Sequence, residues 1–397
     1  MKVSFFKIFF AFLILFCFVP FVAQVSASSG TWTQKGSSQN WYDVAMSSDG
    51  KNQTAVAFGG YIYTSTDYGN TWTQKGSSLN WYGVAMSSDG KNQTAVAWGN
   101  YIYTSTDYGN TWTQKGFSAN WRSVAMSSDG KNQTAIIYYA GGFYYGDIYV
   151  STDYGNTWTQ KGFSINRSYG VAMSSDGKNQ TIVTDHGGIY ISTDYGNTWT
   201  QKYPSLTSMG VDMSSDGKNQ TAVGLNDYIY TSTDYGSTWT PKGPSLSWTD
   251  VAMSSDGKNQ TAVAWGNYIY TSTDYGNTWT QEGSSMNWAG VAMSSDDRIR
   301  AAVVQGGFIW IFTADEPIPP ATEHNMSGWA WSSNIGWISF NSSNDHDPNT
   351  AGIQPSAVNY GVNKNADDTI TGYAWSPNIG WIQFGGLSGF PGGGGGT

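Results

Sequence analysis

The chain has one cysteine in 397 residues, and only 12% of its residues are charged. The lone Cys17 excludes a disulfide scaffold and a cysteine-ligated zinc site. Glutamate occurs three times (Glu282, Glu316, Glu323) and leucine is scarce, which disfavours helical bundles. Nineteen Lys+Arg against 28 Asp+Glu give a formal charge of −9, the wrong sign for nucleic acid as the main partner. What is plentiful is Gly (49 residues), Thr, Tyr and Trp, with aromatics at 16%, a mixture that suits strands and turns. The length allows two or three domains.

One long apolar run is present, Ile8 to Ala23, and it falls short of the roughly 20 residues that cross a bilayer comfortably. Lys2 and Lys7 start it, and Val25-Ser26-Ala27 follows as a small-residue cleavage site, so residues 1–27 read as a secretory signal. Phe16 before Cys17 argues against lipidation. Cleavage leaves 17 Lys+Arg and 28 acids, net 17 − 28 = −11, and no cysteine. The expectation is a secreted or cell-surface protein, bacterial in character, with no membrane span after cleavage.

Self-similarity dominates the rest. The string V-A/D-M-S-S-D recurs with its Asp at Asp49, Asp89, Asp129, Asp176, Asp216, Asp256 and Asp296. T-W-T recurs with Trp32, Trp72, Trp112, Trp158, Trp199, Trp239 and Trp279. S-T-D-Y-G-x-T-W recurs at Asp67, Asp107, Asp153, Asp194, Asp234 and Asp274. Each period of about 40 residues parses into four short strands. In the second, Tyr82–Ser87, Gln93–Trp98, Tyr101–Thr106 and Thr111–Lys115 are separated by turns at Asp89-Gly90, Gly99-Asn100 and Asp107-Tyr108-Gly109. Four strands per period, repeated, predict a seven-bladed β-propeller. The repeats open on a lone fourth strand, Thr31–Lys35, and end on a third strand, Phe308–Thr313. The N-terminal strand is therefore expected to complete the last blade and remove the free edges.

The S-T-D-Y-G-N-T-W string resembles the Asp-box, or BNR, repeat of sialidases, sortilin-type receptors, a photosystem II assembly factor and some xyloglucan-cleaving glycosidases. The resemblance covers about residues 29–315. It implies a propeller fold in which each box Asp serves its own turn and the following Trp packs between blades. It does not choose a function, because that set mixes enzymes and binders.

Within each period the SSDGK and TDYGN turns hardly vary, whereas the connections on the opposite face do. That variable face is aromatic. Trp41, Trp81, Trp121, Trp248 and Trp288 stand before the inner strand, and Trp98 and Trp265 after the second. An insertion in the third repeat adds Tyr138, Tyr139, Phe143, Tyr144 and Tyr145 around Gly141-Gly142. Flat rings among Asn, Ser and Asp suit stacking on a sugar or gripping a peptide, and the plainer reading is packing of the funnel. The candidate ligand-binding residues are Trp41, Trp81, Trp121, Trp248, Trp288, Trp98, Trp265, Tyr138, Tyr139 and Tyr144.

Sialidase chemistry needs three arginines and a Tyr/Glu pair. The repeats carry only Arg122, Arg167, Arg298 and Arg300, with Glu282 their one glutamate, so that activity is not expected. A glycosidase of the xyloglucan type needs two carboxylates across a cleft. Asp43 and Asp250 share one repeat position, filled elsewhere by Gly or Ser, and Asp212 lies two places further on in its repeat. No His/Asp/Glu spacing resembles a metal site, His186 stands alone, and no cofactor is expected. The N-Q-T triplets at Asn52, Asn92, Asn132, Asn179, Asn219 and Asn259 match glycan acceptors but belong to the repeat.

A stiff segment, Asp315-Glu316-Pro317-Ile318-Pro319-Pro320, leads to a twin motif. Gly328–Ile338 (GWAWSSNIGWI) returns as Gly372–Ile382 (GYAWSPNIGWI), which predicts a small all-β module. The expected organisation is a signal over 1–27, a propeller over 28–314, a linker over 315–324, the module over 325–386 and a Gly-rich tail over 387–397. The expected function is non-enzymatic recognition of glycan or extracellular protein by a monomeric propeller through its variable face. One alternative is a polysaccharide hydrolase using Asp43 with Asp250 or Asp212. Another is a scaffold for assembly of a protein complex.

Overall fold

The computed structural model describes residues 30–139, 145–185, 187–203 and 207–314, and beyond them the strands Trp329–Ser332, Gly336–Ser339, Val362–Lys364, Ile370–Ser376 and Gly380–Phe384. The signal, the linker, the tail, Phe143, Tyr144 and His186 lie outside the described residues. Every regular element described is a β-strand. The chain divides into two compact units, Met1–Asp315 and Glu316–Thr397.

In the first unit each repeat builds a four-strand antiparallel sheet. The fourth repeat shows it plainly: Ser168–Met173, Gln180–Thr184, Gly188–Ser192 and Thr200–Tyr203 pair in that order. Elsewhere the strands run longer than the sequence implied. Thr73–Met86 is one element that serves as the outer strand of one sheet and the inner strand of the next. Gln93–Ser105 likewise carries second and third strands through a tip at Gly99, where φ is +64°. The variable connections are thus not free loops: Leu79 and Asn80 pair with Gly60 and Phe58 and add rungs at the sheet ends.

The first strand of the unit, Gly30–Met46, pairs with the last, Ile299–Ala314, from Gly30↔Ala314 to Lys35↔Ile309. Trp32 packs against Phe312 (centroids 5.5 Å) and Trp288 (6.4 Å). At the constant face the amide of Ser48 donates to the carbonyl of Ser88 at 2.9 Å. The same bond links Ser88 to Ser128, and then Ser175, Ser215, Ser255 and Ser295 in turn, until the Ser295 amide donates to Ser48 at 2.8 Å.

The repeat motifs explain the joints between sheets. Asn52 donates from Nδ2 to the carbonyl of Asp89, one repeat on (3.3 Å). Gln53 donates to Gly50 of its own turn, and Thr54 donates to Oε1 of Gln93 at 2.7 Å. The N-Q-T triplet is therefore a joint, with Gln and Thr buried. The last repeat departs from it: Asp297 replaces Gly, Arg300 replaces Gln and Ala301 replaces Thr. Two buried atoms lose their partners as a result, the Thr261 hydroxyl on one side and Gln53 Oε1 on the other. Arg300 is compensated locally by Asp297 and by Glu282 (2.9 Å), and its guanidinium lies 4.4 Å from the Phe312 ring centroid.

Each box Asp serves its turn. Asp67 accepts from the Ser65 hydroxyl (2.8 Å), the Thr71 amide (2.9 Å) and the Thr71 hydroxyl (2.7 Å), and Trp72 Nε1 donates to Gly69 (2.9 Å). The same bonds recur at Asp107, Asp153, Asp194, Asp234 and Asp274. Trp72 packs on a cluster that holds Ile309 and Ile311 of the neighbouring sheet.

In the second unit, Trp329–Ser332 pairs with Gly336–Ser339 and Ile370–Ser376 with Gly380–Phe384 in matching registers, Trp331↔Trp337 and Trp375↔Trp381. Ser339↔Trp375 joins the two hairpins.

Candidate functional site

The inner strands line an axial cavity of about 310 Å³, and one repeat position contributes to it from every inner strand. Trp81 pairs with Ala97 and Gly83 with Val96, so Tyr82 is one residue too many for the ladder. The same bulge isolates Tyr42, Arg122, Tyr169, Thr249 and Ala289, and Met209 occupies the equivalent place. A bulge re-aims its extra side chain. Here it turns this position toward the cavity, whose lining includes all seven of these residues.

The seven positions carry five residue types: three tyrosines and one each of Arg, Met, Thr and Ala. Tyr42, Tyr82 and Tyr169 surround Arg122, whose guanidinium carbon stands 5.0, 4.9 and 5.1 Å from the three ring centroids. Arg122 is buried, and no carboxylate lies within ion-pair distance of it among the described residues. Cation–π contact replaces a salt bridge. Across the mouth stand Met209, Thr249 and Ala289. With Tyr42, Arg122, Leu225, Trp265 and Gln305 they line an outer cavity of about 200 Å³.

Outward from Arg122 the aromatic surface is continuous. Tyr82 touches Tyr42 (4.4 Å), Phe58 (5.6 Å) and Trp98 (5.3 Å), and Trp98 touches Tyr138 (5.5 Å) and Tyr139 (5.3 Å). The Tyr138 and Tyr169 hydroxyls are 3.2 Å apart. Arg167 stands over Tyr138 at 5.9 Å and pairs with Asp185 at 3.1 Å. Burial pushes the Tyr82 and Tyr169 hydroxyls up, so both stay protonated donors at neutral pH.

The five tryptophans Trp41, Trp81, Trp121, Trp248 and Trp288 require a correction. They are 0–1% exposed and sit in the clusters between sheets, so they do not form a ligand surface. Each indole is also committed: Trp41 Nε1 donates to the Ser37 carbonyl (3.3 Å), and the other four find the matching carbonyl. Strand alternation places them inside, while the bulge places the next residue at the mouth. Trp265, at 43% exposed, and Trp98, Tyr138 and Tyr139, half-buried, do lie on the variable face.

Asp43, Asp212 and Asp250 all line the axial cavity. Each carboxylate is spent on backbone. Asp43 accepts from the amides of Val44 (2.8 Å) and Val84 (2.9 Å), the latter on the next inner strand. Asp212 does the same with Met213 and Met253, and Asp250 accepts from Val291 at 2.9 Å. Glycines make room: a Cβ at Gly290 would stand 3.1 Å from Asp43 Cα, and one at Gly210 2.9 Å from Asp250 Cα. Desolvation raises Asp43 and Asp212 to about 7, against the pull of those amides. Asp250 is raised as well, by desolvation and then by the charge of Asp43. These acids tie inner strands together around the cavity. No group of His, Cys, Asp or Glu among the described residues is arranged to hold a metal.

Tyr42, Tyr82, Arg122 and Tyr169 were not singled out from the sequence. The signal was present: at the first x of W-x-x-V-A-M and its equivalents the seven repeats carry Tyr, Tyr, Arg, Tyr, Met, Thr and Ala.

No family model and no curated protein sequence matches this chain. Solved structures do. YCF48 bound to D1 peptide is similar with a TM-score of 0.58 at 14% identity, over 73% of this chain and 99% of that one. YCF48 from Cyanidioschyzon merolae gives 0.58 at 16%, over 73% and 100%. The Cps50 (Swd1) β-propeller domain of Myceliophteria thermophila gives 0.56 at 13%, over 72% and 99%. The fold of the first unit is that of a β-propeller.

Proposed function

We propose that this is a closed, seven-bladed propeller of the Asp-box kind whose variable face binds a peptide segment of a protein partner. The observation that carries this is the unlike set of bulged residues at the axial mouth, with buried Arg122 in its tyrosine cage. Repeats that keep their joints and constant turns diverge at the position that the bulge turns toward the axial cavity. Aromatic rings, one cation and satisfied hydroxyl donors at the rim of a cavity make a binding site rather than a catalytic one. A solved neighbour of the same fold holds a peptide, which fits a binding or assembly role. The N-terminal segment favours export, with action at the cell surface or outside the cell.

The test is selection of peptides from a random library on the mature protein, followed by fluorescence anisotropy. Arg122→Ala and Trp265→Ala should each weaken the selected peptide at least tenfold with the far-UV spectrum unchanged. Equal affinity in both variants would remove the basis for this site.

A further inference from the structure

The constant face carries a second repeated feature that neither the fold nor the axial site uses. In each Asp-box the residue between Asp and Gly is a tyrosine: Tyr68, Tyr108, Tyr154, Tyr195, Tyr235 and Tyr275. All six adopt left-handed backbone, with φ between 61° and 63°. That region is unfavourable for a bulky L-residue, and Gly or Asn would fill it at less cost. The turn does not need the ring. Its bonds are made by the box Asp, Ser and Thr and by the Tyr amide, which donates to the Lys carbonyl of the adjacent turn at 3.0–3.2 Å.

The rings are 39–43% exposed, and none makes an aromatic or cation–π contact among the described residues. None of the six hydroxyls has a hydrogen-bond partner among the described residues, where partnered tyrosines such as Tyr103 and Tyr230 do. A strained backbone that presents an unpartnered ring, six times over, points to function. The surroundings are polar and balanced. Lys51 and Asp49 are exposed beside Tyr68, and Asn70 and Thr71 follow it. Lys35 of the preceding repeat reaches Asn70 at 3.0 Å, as Lys75 reaches Asn110 and Lys115 reaches Asn156.

We infer that this face is a multivalent carbohydrate-binding surface, each tyrosine stacking on one pyranose of a repeating polysaccharide. A flat ring with amide, hydroxyl and ammonium donors at its edge suits the apolar face and equatorial hydroxyls of a sugar. Six equivalent sites suit a ligand that itself repeats, and weak single contacts add by effective concentration. Lys35 and Lys51 offset Asp49 and Asp67 in charge around Tyr68, which favours a neutral polymer over a polyanion.

The experiment uses the mature protein in co-sedimentation with insoluble chitin, cellulose and xylan, with alginate beads as the polyanion arm. Replacing all six tyrosines by Gly should abolish retention on a neutral polymer while leaving the melting temperature unchanged or higher. Replacing three should weaken binding by more than tenfold, the mark of avidity. A six-fold Asn variant, which also tolerates this backbone, should behave as the Gly variant does. The inference fails if the native protein is retained on none of the neutral polymers, if it prefers alginate, or if the variants bind unchanged. It also fails if both substitutions lower the melting temperature, since the rings would then be structural. Peptide binding at the axial mouth should survive the six-fold variant, so the two readings stand or fall separately.

Discussion

Thr54 gives its hydroxyl to Gln93 at 2.7 Å across the boundary between two repeats, and both side chains are fully buried. The last repeat breaks this relationship, because Ala301 supplies no hydroxyl and leaves Gln53 Oε1 without a donor. Ala301→Thr should restore the bond and stabilise the protein by about 0.5–1.5 kcal/mol. Thr94→Val should cost about 1–3 kcal/mol by orphaning Gln133 in the same way. Urea denaturation of the two variants checks both signs; a destabilised Ala301→Thr would mean that the last joint is packed differently.

The pairing of Thr31–Lys35 with the final third strand carries the proposed closure. Deleting residues 30–36 should expose the edge of Phe308–Thr313 and drive self-association. Size-exclusion chromatography of the deleted protein should show oligomers or aggregate. A deleted protein that stayed monomeric with its melting temperature intact would show that the ring does not depend on this strand.

Two tryptophans of the same repeat separate core from surface. Trp248 is 0% exposed and Trp265 is 43% exposed. Trp248→Ala should cost about 3–5 kcal/mol, as large-to-small core changes do. Trp265→Ala should fall within about 0.5 kcal/mol of the parent. Similar losses for the two would contradict the burial assigned to the five inner-strand tryptophans.

Stability should peak in mildly acidic solution. Asp43 and Asp212 rise from 3.8 to about 7 on folding, so their contribution is complete below 3.8 and is lost as pH rises through about 7. The box carboxyls run the other way. Burial works against Asp67, but the Thr71 amide and hydroxyl and the Ser65 hydroxyl outweigh it and hold it below 3.8. Their contribution is present above 3.8 and fades on acidification. The melting temperature should be higher at pH 5 than at pH 8, and Asp43→Asn with Asp212→Asn should flatten the alkaline side. A melting temperature that climbs from pH 5 to pH 8 would reverse the sign assigned to these acids.

The sheets were legible because each joint repeats. Asp-Gly turns, the split first repeat and the box string were enough to place the strands and the N-terminal pairing. The aromatic mouth was only partly legible. Composition drew attention to Trp41 and its equivalents, the largest side chains on the variable face, but strand alternation buries them and spends their indoles on backbone carbonyls. The bulge that turns Tyr42, Tyr82 and Arg122 toward the cavity has no signature of its own, since an extra residue in one strand shows only against its partner. The three acids looked like a catalytic set because Asp43 and Asp250 break a Gly/Ser pattern and Asp212 stands where the other repeats have Ala. Their partners are amides of the next strand, which no single-strand reading reveals.

The Thr–Gln joint makes the first six repeats interchangeable: each of the five boundaries among them offers the same donor and the same acceptor. A gene built of such cassettes can duplicate or lose one without creating a mismatched border, and only the terminal cassette, with Arg300 and Asp297, is fixed in place.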